Sequence, residues 1–345
     1  MNRRSGTTNM KVLVGVLVGV AVVVAAVAVM KLNVLGSKGS GLGKQFKYDI
    51  EKLAHVDPNL ILYEESADPI DTGLAASHSI AADSQGSIYV AGDKAVRRFA
   101  ASGDSLAGIE LAAEPRCLTV AADGNVYIGF NDHVEVYTAQ GQLQASWDSL
   151  GPDAILTSIA VWQDDVFVAD AGNRVVVRFD TTGKLVSHIG KKDPDRNVPG
   201  FVIPSAYFDL VVSKDGLLRV VDPGRLRIEA YTFDGDFEFS WGRASVDIEG
   251  FCGCCNPVNI AVLPDGGFVT CEKGLIRVKI YSAEGAFTGV VAGPEQLAPG
   301  GALRICMLPE ECQAGGFDVA VDANGRVLVL DTIKNVVRIF TRVKG

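Results

Sequence analysis

Six of the seven cysteines in this 345-residue chain fall in its last 94 residues. Cys252, Cys254 and Cys255 form a Cys-x-Cys-Cys run, Cys271 follows, and Cys306 and Cys312 lie in the long stretch Gly293–Gly316. Thiols at this density support three kinds of chemistry. In an oxidising compartment they staple loops as disulfides, and six cysteines allow 15 pairings. As thiolates they are soft ligands for an Fe–S cluster, Cu or Zn, and the spacing matches no standard ferredoxin or zinc-ribbon pattern. The adjacent pair Cys254-Cys255 is also a candidate for reversible redox chemistry, because neighbouring cysteines bridge only with strain. The plainest expectation is no cofactor, with Fe–S, Cu or Zn as the alternative. Lys273, Arg277 and Arg304 place positive charge near the thiols and are candidate contacts for an anion or partner. Arg277 and Lys279 alternate with apolar residues, which predicts a solvent-facing strand edge. Cys117 stands apart and reads as a buried apolar residue.

The remaining chemistry is sparse. The four histidines, His55, His78, His133 and His188, are scattered, a poor basis for a multi-histidine metal site. No HExxH, GxSxG, phosphate-binding glycine loop or CxxCH occurs.

The elements that must position these residues follow from a repeat. Ser158–Gly190 reads as an apolar strand, a turn, a strand ending Ala169-Asp170, the run Gly172-Asn173-Arg174, a third strand, a Gly183 turn and a fourth strand. The same order begins near Ile80, Leu118, Ile159, Leu210, Ile260 and Val319. Four short strands repeated at about 40–50 residues are the signature of propeller blades. Asp123-Gly124, Asp215-Gly216, Asp234-Gly235, Asp265-Gly266 and Asn324-Gly325 supply hairpin turns. The sixth blade has three strands before the chain ends, which would leave a bare edge. Asn59–Glu65, ahead of blade one, is predicted to fill it and close the ring. In a propeller, the loops into the first strand and after the second open on one face, so the six late cysteines are expected over one sector of that face.

Asp170, Asp222, Glu272 and Asp331 share one repeat position, the end of the second strand. Such a ring of carboxylates suits Ca²⁺. The simpler reading is that these repeat acids tie loops through backbone N–H groups.

The run Ala169-Asp170-Ala171-Gly172-Asn173-Arg174-Val175 closely resembles the NHL repeat, with weaker echoes at Val221–Gly224 and Leu330-Asp331. Gly92 and Phe130 depart from it in blades one and two. Gly250–Tyr281 also resembles a bacterial Cys-Cys-Asn-Pro variety of NHL protein. The resemblance implies a six-bladed propeller. It leaves activity open, since NHL-like propellers include binding scaffolds, peptide lyases and relatives of metal-dependent lactonases. The peptide lyases use channel histidines, of which this chain has too few.

Val12–Met30 is a run of 19 residues with no charge or proline, preceded by Arg3, Arg4 and Lys11. At about 1.5 Å per residue it just spans a bilayer core. The reading is a tail over 1–11, a transmembrane signal anchor over 12–30, a Gly/Ser/Lys linker over 31–55 and a propeller over 56–345. A signal peptide cleaved near Ala26-Val27-Ala28 is the competing reading. The basic N-terminus predicts a single pass through a cell inner membrane, with the propeller facing the periplasm or outside. Residues 1–52 carry eight basic and two acidic side chains, so the rest of the chain has net charge −15. That charge repels phosphate backbones and argues against nucleic acid.

The fold expectation is thus an all-β, six-bladed NHL-like propeller after one transmembrane helix. The function expectation is a membrane-tethered scaffold, binding a protein partner, a membrane complex or a small ligand through the loops of blades five and six. A metal- or Fe–S-bearing redox subunit is the alternative, and a propeller lyase or hydrolase is the third class.

Overall fold

The computed structural model describes residues 14–24, 50–66, 68–298 and 316–343. The chain divides into two units, Met1–Ile50 and Glu51–Gly345. In the first, residues 14–24 are helical with exposed side chains. No helix among the described residues is long and apolar enough to cross a membrane. Residues 12–13 and 25–30 of the expected span lie outside the described residues, as do Arg304, Cys306 and Cys312.

The second unit is a six-bladed β-propeller, each blade an antiparallel sheet. Blade one is built from Ser77–Ala82, Ile88–Gly92, Ala95–Phe99 and Ser105–Glu110. Blade five is built from Asn259–Val262, Phe268–Glu272, Arg277–Tyr281 and Phe287–Ala292. We call the four strands a to d from the centre outwards. Strand b is buried along its whole length in blades one, two, four, five and six. It has a neighbouring blade on both faces, and in blades one, two and six it therefore reads as a largely apolar run rather than an alternation. Strand d of blade one, at the rim, is exposed at every position but Ile109.

The core is correspondingly divided. Among the described residues six apolar clusters form, and each spans two adjacent blades: Ile88, Val90, Leu328 and Leu330 join blades six and one, for example, and Val258, Val278, Phe317 and Phe340 join five and six. No blade has a core of its own, so each depends on its neighbours.

The sixth blade is completed from the other end of the chain, as the bare edge demanded. Tyr63–Glu65 pairs antiparallel with strand c, Val336–Arg342, with Glu65 opposite Phe340. A second segment, Ile70–Asp71, pairs with Val337 and Val336 on the same strand; nothing in the repeat pattern foretells it. Glu65 and Arg338 clamp this seam through a two-pronged ion pair, with contacts of 2.7 and 2.6 Å. Leu62 also donates to the Val290 carbonyl of blade five, so the strap bridges two blades.

Tyr63 is 3% exposed at this seam and packs with the blade five–six core. Replacing it with alanine should cost about 3–5 kcal/mol, read as a lower urea midpoint of the full chain. A shift below about 1 kcal/mol would mean the strap is not needed for closure.

Candidate functional site

The residue just before each repeat start is small and polar: Ser79, Cys117, Ser158, Asp209, Asn259 and Asp318. These positions open strand a around the central channel, and most reach into the next blade. Asp209 Oδ2 accepts from Ile260 N at 2.7 Å, and Asp318 Oδ2 accepts from Ile80 N at 2.8 Å. Ser79 Oγ accepts from Leu118 N, Ser158 Oγ from Leu210 N, and Asn259 Nδ2 donates to the Phe317 carbonyl. Cys117 instead packs on Gly129, where no side chain would fit. Burial pushes the Asp209 carboxyl up to about 7, reinforced by the negative charge of Asp318, and burial raises Asp318 to about 6. Sequence reasoning missed this ring, although the repeat register held the signal.

At the other end of the lead-in loops, the four repeat acids do tie loops down. Asp170 Oδ1 accepts from Ile155 N and Asn173 N. Asp222 Oδ1 accepts from Val202 N and Arg225 N, and Asp331 Oδ1 from Ile333 N and Lys334 N. In blade one, Asp93 does the same for Ala75 N and Ala76 N, one residue after Gly92. The NHL-like motif thus has a mechanical reading: Gly172 lies where a Cβ would strike the Asp153 carbonyl, and Arg174 takes a left-handed φ of 57°. No group of three or more His, Cys, Asp or Glu among the described residues is arranged to hold a metal.

Blade five departs from the others because its acid is longer. Glu272 accepts from Cys252 N at 2.8 Å and also binds Arg277 at 2.7 and 3.0 Å and Lys279 at 3.0 Å. Arg277 and Lys279 are buried, not on a solvent-facing edge as the alternation predicted. The loop between blades four and five folds over them. Lys279 Nζ donates to the Ile248 and Gly250 carbonyls, and Tyr281 Oη to the Glu249 carbonyl. Burial pulls the Lys279 ammonium down to about 8, against the attraction of Glu272. Lys273 is also buried, with its Nζ 3.2 Å from Ser205 Oγ and 4.2 Å from the Tyr207 ring centre. Lys273 and Arg277 are therefore engaged internally, not free for a partner.

The described cysteines do not gather. Cys271 is fully buried in the blade five–six core, and burial pushes its thiol well above the ordinary value. Cys252 lies beside Arg277 and Glu272, and burial raises its thiol too. Of the described four, Cys254 and Cys255 alone meet, with sulfurs 3.4 Å apart. All four carry free thiols, as does Cys117.

On the same face, a cavity of about 300 Å³ forms the channel mouth, lined by His78, Arg116, Thr157, Tyr207, Asn259 and Thr332 among others. His78 Nε2 is 2.7 Å from Glu114 Oε1. Arg116 is exposed, and its guanidinium has no hydrogen-bond or ion-pair partner among the described residues. Tyr207 connects this mouth to Lys273, and the Lys273 ammonium lies beside Cys255.

No protein-family model and no curated protein sequence matches the chain, so the NHL and Cys-Cys-Asn-Pro readings remain likenesses of motif. Solved structures share the fold. A streptogramin B lyase superposes with a TM-score of 0.56 at 11% identity, covering 80% of this chain and 97% of that one. Virginiamycin B lyase from Staphylococcus aureus gives 0.51 at 15% identity, covering 81% and 88%. A protein of unknown function from Bacteroides thetaiotaomicron gives 0.51 at 15%, covering 81% and 73%. These likenesses are of fold alone.

Two variants test this electrostatic frame. Glu272→Ala strands two buried cations and should cost about 3–5 kcal/mol in denaturant unfolding; a negligible cost would show that the covering loop opens to hydrate them. Asp209 has a folded pKa above its unfolded one, so it weakens the fold as pH rises from about 4 to about 7. Asp209→Asn should remove that slope, at most about 1.4 kcal/mol per pH unit per proton. Parallel stability curves for the two proteins from pH 4 to 8 would show that Asp209 ionises normally.

Proposed function

We propose that this protein is a membrane-tethered binding scaffold whose loop face, on the extracytoplasmic side, holds a small anionic ligand at the channel mouth. The loops of blades five and six form the flank of that surface and serve partner contact. The observation that carries the reading is Arg116, whose guanidinium has no partner among the described residues and stands at the rim of a polar cavity of about 300 Å³. The volume suits a small molecule, and an exposed Arg offers a planar fork for a carboxylate or phosphate. Thr157, Asn259 and Thr332 line the same cavity with their donors held by the backbone carbonyls of Phe208, Phe317 and Gly316, which leaves Arg116 to meet the anion. The tether rests on the charge-free run Val12–Met30 behind Arg3, Arg4 and Lys11. The lyase activities of the structural neighbours belong to those proteins; here the mouth is lined by one histidine, His78, already paired with Glu114.

The binding reading is tested by thermal-shift screening of the full chain in detergent against small carboxylates, phosphates and acidic peptides. A ligand at 100 times its Kd should stabilise the fold by about 2.7 kcal/mol, and Arg116→Ala should weaken it by about tenfold or more. Hits that shift wild type and Arg116→Ala equally would place recognition elsewhere. The tether is tested separately by alkaline carbonate extraction of membranes: the chain should stay in the pellet, and its release would remove the anchor from this reading.

A further inference from the structure

The Cys254-Cys255 pair has a geometry that the other described thiols lack. The two sulfurs lie 3.4 Å apart, in contact with each other. Their surroundings are unequal. Cys254 is exposed, whereas Cys255 is 4% exposed and lies beside the Lys273 ammonium. One sulfur can be reached from solvent, and the other is shielded from it and, among the described thiols, meets its neighbour. The Cys252 thiol lies beside Arg277 and Glu272 instead, and Cys271 is sealed in the core, so among the described thiols Cys254 and Cys255 alone meet.

We propose that Cys254 and Cys255 are a thiol–disulfide exchange site that takes a small external disulfide of the glutathione type as its oxidant. Cys254 gives its proton to solvent, and the thiolate attacks one sulfur of that disulfide. A mixed disulfide forms, and the first external thiolate leaves and takes up a proton. Cys255 then loses its proton and attacks the Cys254 sulfur. The Cys254–Cys255 bond forms and the second external thiolate leaves, also taking up a proton. Two electrons pass from the two cysteines to the external disulfide, and no proton is gained or lost overall. The Lys273 ammonium lies beside the Cys255 sulfur and attracts the negative charge that develops there in the second step. Adjacent Cα atoms are about 3.8 Å apart, below the usual disulfide range, so the bridged form is the readily reduced kind. Cys254 is held above its ordinary value, first by its bond with Cys255 and then by burial, so exchange should quicken as pH rises. This inference does not depend on the ligand proposed for the channel mouth.

The test uses the full chain, reduced and then mixed with oxidised glutathione, quenched in acid, alkylated and sequenced by mass spectrometry. Wild type should lose two hydrogens across Cys254 and Cys255 while Cys117, Cys252 and Cys271 stay alkylated. Cys255→Ala should accumulate glutathione on residue 254. Cys254→Ala should react about tenfold or more slowly, because Cys255 is shielded. Lys273→Met should prolong the mixed disulfide in the otherwise unaltered chain. Both single cysteine variants are small changes at a loop, and unchanged melting would confirm that they fold. A bridge from Cys252, equal glutathione uptake by the two single variants, or bound Zn or Cu with thiols that resist exchange would each overturn the proposal.

Discussion

Ring closure is the constraint on which this structure rests. Each blade buries its b strand only because another blade covers each face, and the apolar clusters lie between blades rather than within them. An open ring would expose two such faces at once, and the unpaired edge of Val336–Arg342 as well. Closure is therefore made by joining the two ends of the chain in one sheet, with Tyr63 buried and Glu65 gripping Arg338. The same seam is tied a second time where Asn335 accepts from Ser77 N and donates to the Ala75 carbonyl.

Around the channel a different force holds the blades in register. The first strands converge where backbone N–H groups face each other across blade boundaries, and a buried donor without a partner is costly. A short polar side chain before each strand a supplies the acceptor in most blades, and two of these are carboxyls rather than hydroxyls. The carboxyls carry a desolvation cost that Ser79 and Ser158 avoid. Blade five shows the same economy in the acid that ends its strand b: lengthening Asp to Glu lets one carboxylate satisfy Cys252 N–H and two cations.

The loop face is where these two systems meet. Tyr207 packs on Gly316 and against Lys273, and so links the channel mouth to the Cys254-Cys255 loop. The lining of the mouth is polar and contributed by several blades, a surface whose shape is set by blade packing rather than by any one loop.

Blade number, strand order, hairpin turns and the closing strap were legible in the sequence alone. Each is a short-range property: alternation and apolar runs report which face of a strand is covered, and Asp-Gly or Asn-Gly reports a turn. The polar residue before each repeat start is legible as well, because it holds one place in the repeat register. What only the tertiary structure decided is which distant segment lies over a given strand. Arg277 and Lys279 alternate as exposed residues do, yet the loop carrying Ile248, Glu249 and Gly250 covers them. Cys252, Cys254, Cys255 and Cys271 look like one cluster along the chain, yet strand b carries Cys271 into the core while Cys252 turns toward Arg277. Such placements depend on packing between segments tens of residues apart, and local pattern holds no information about them.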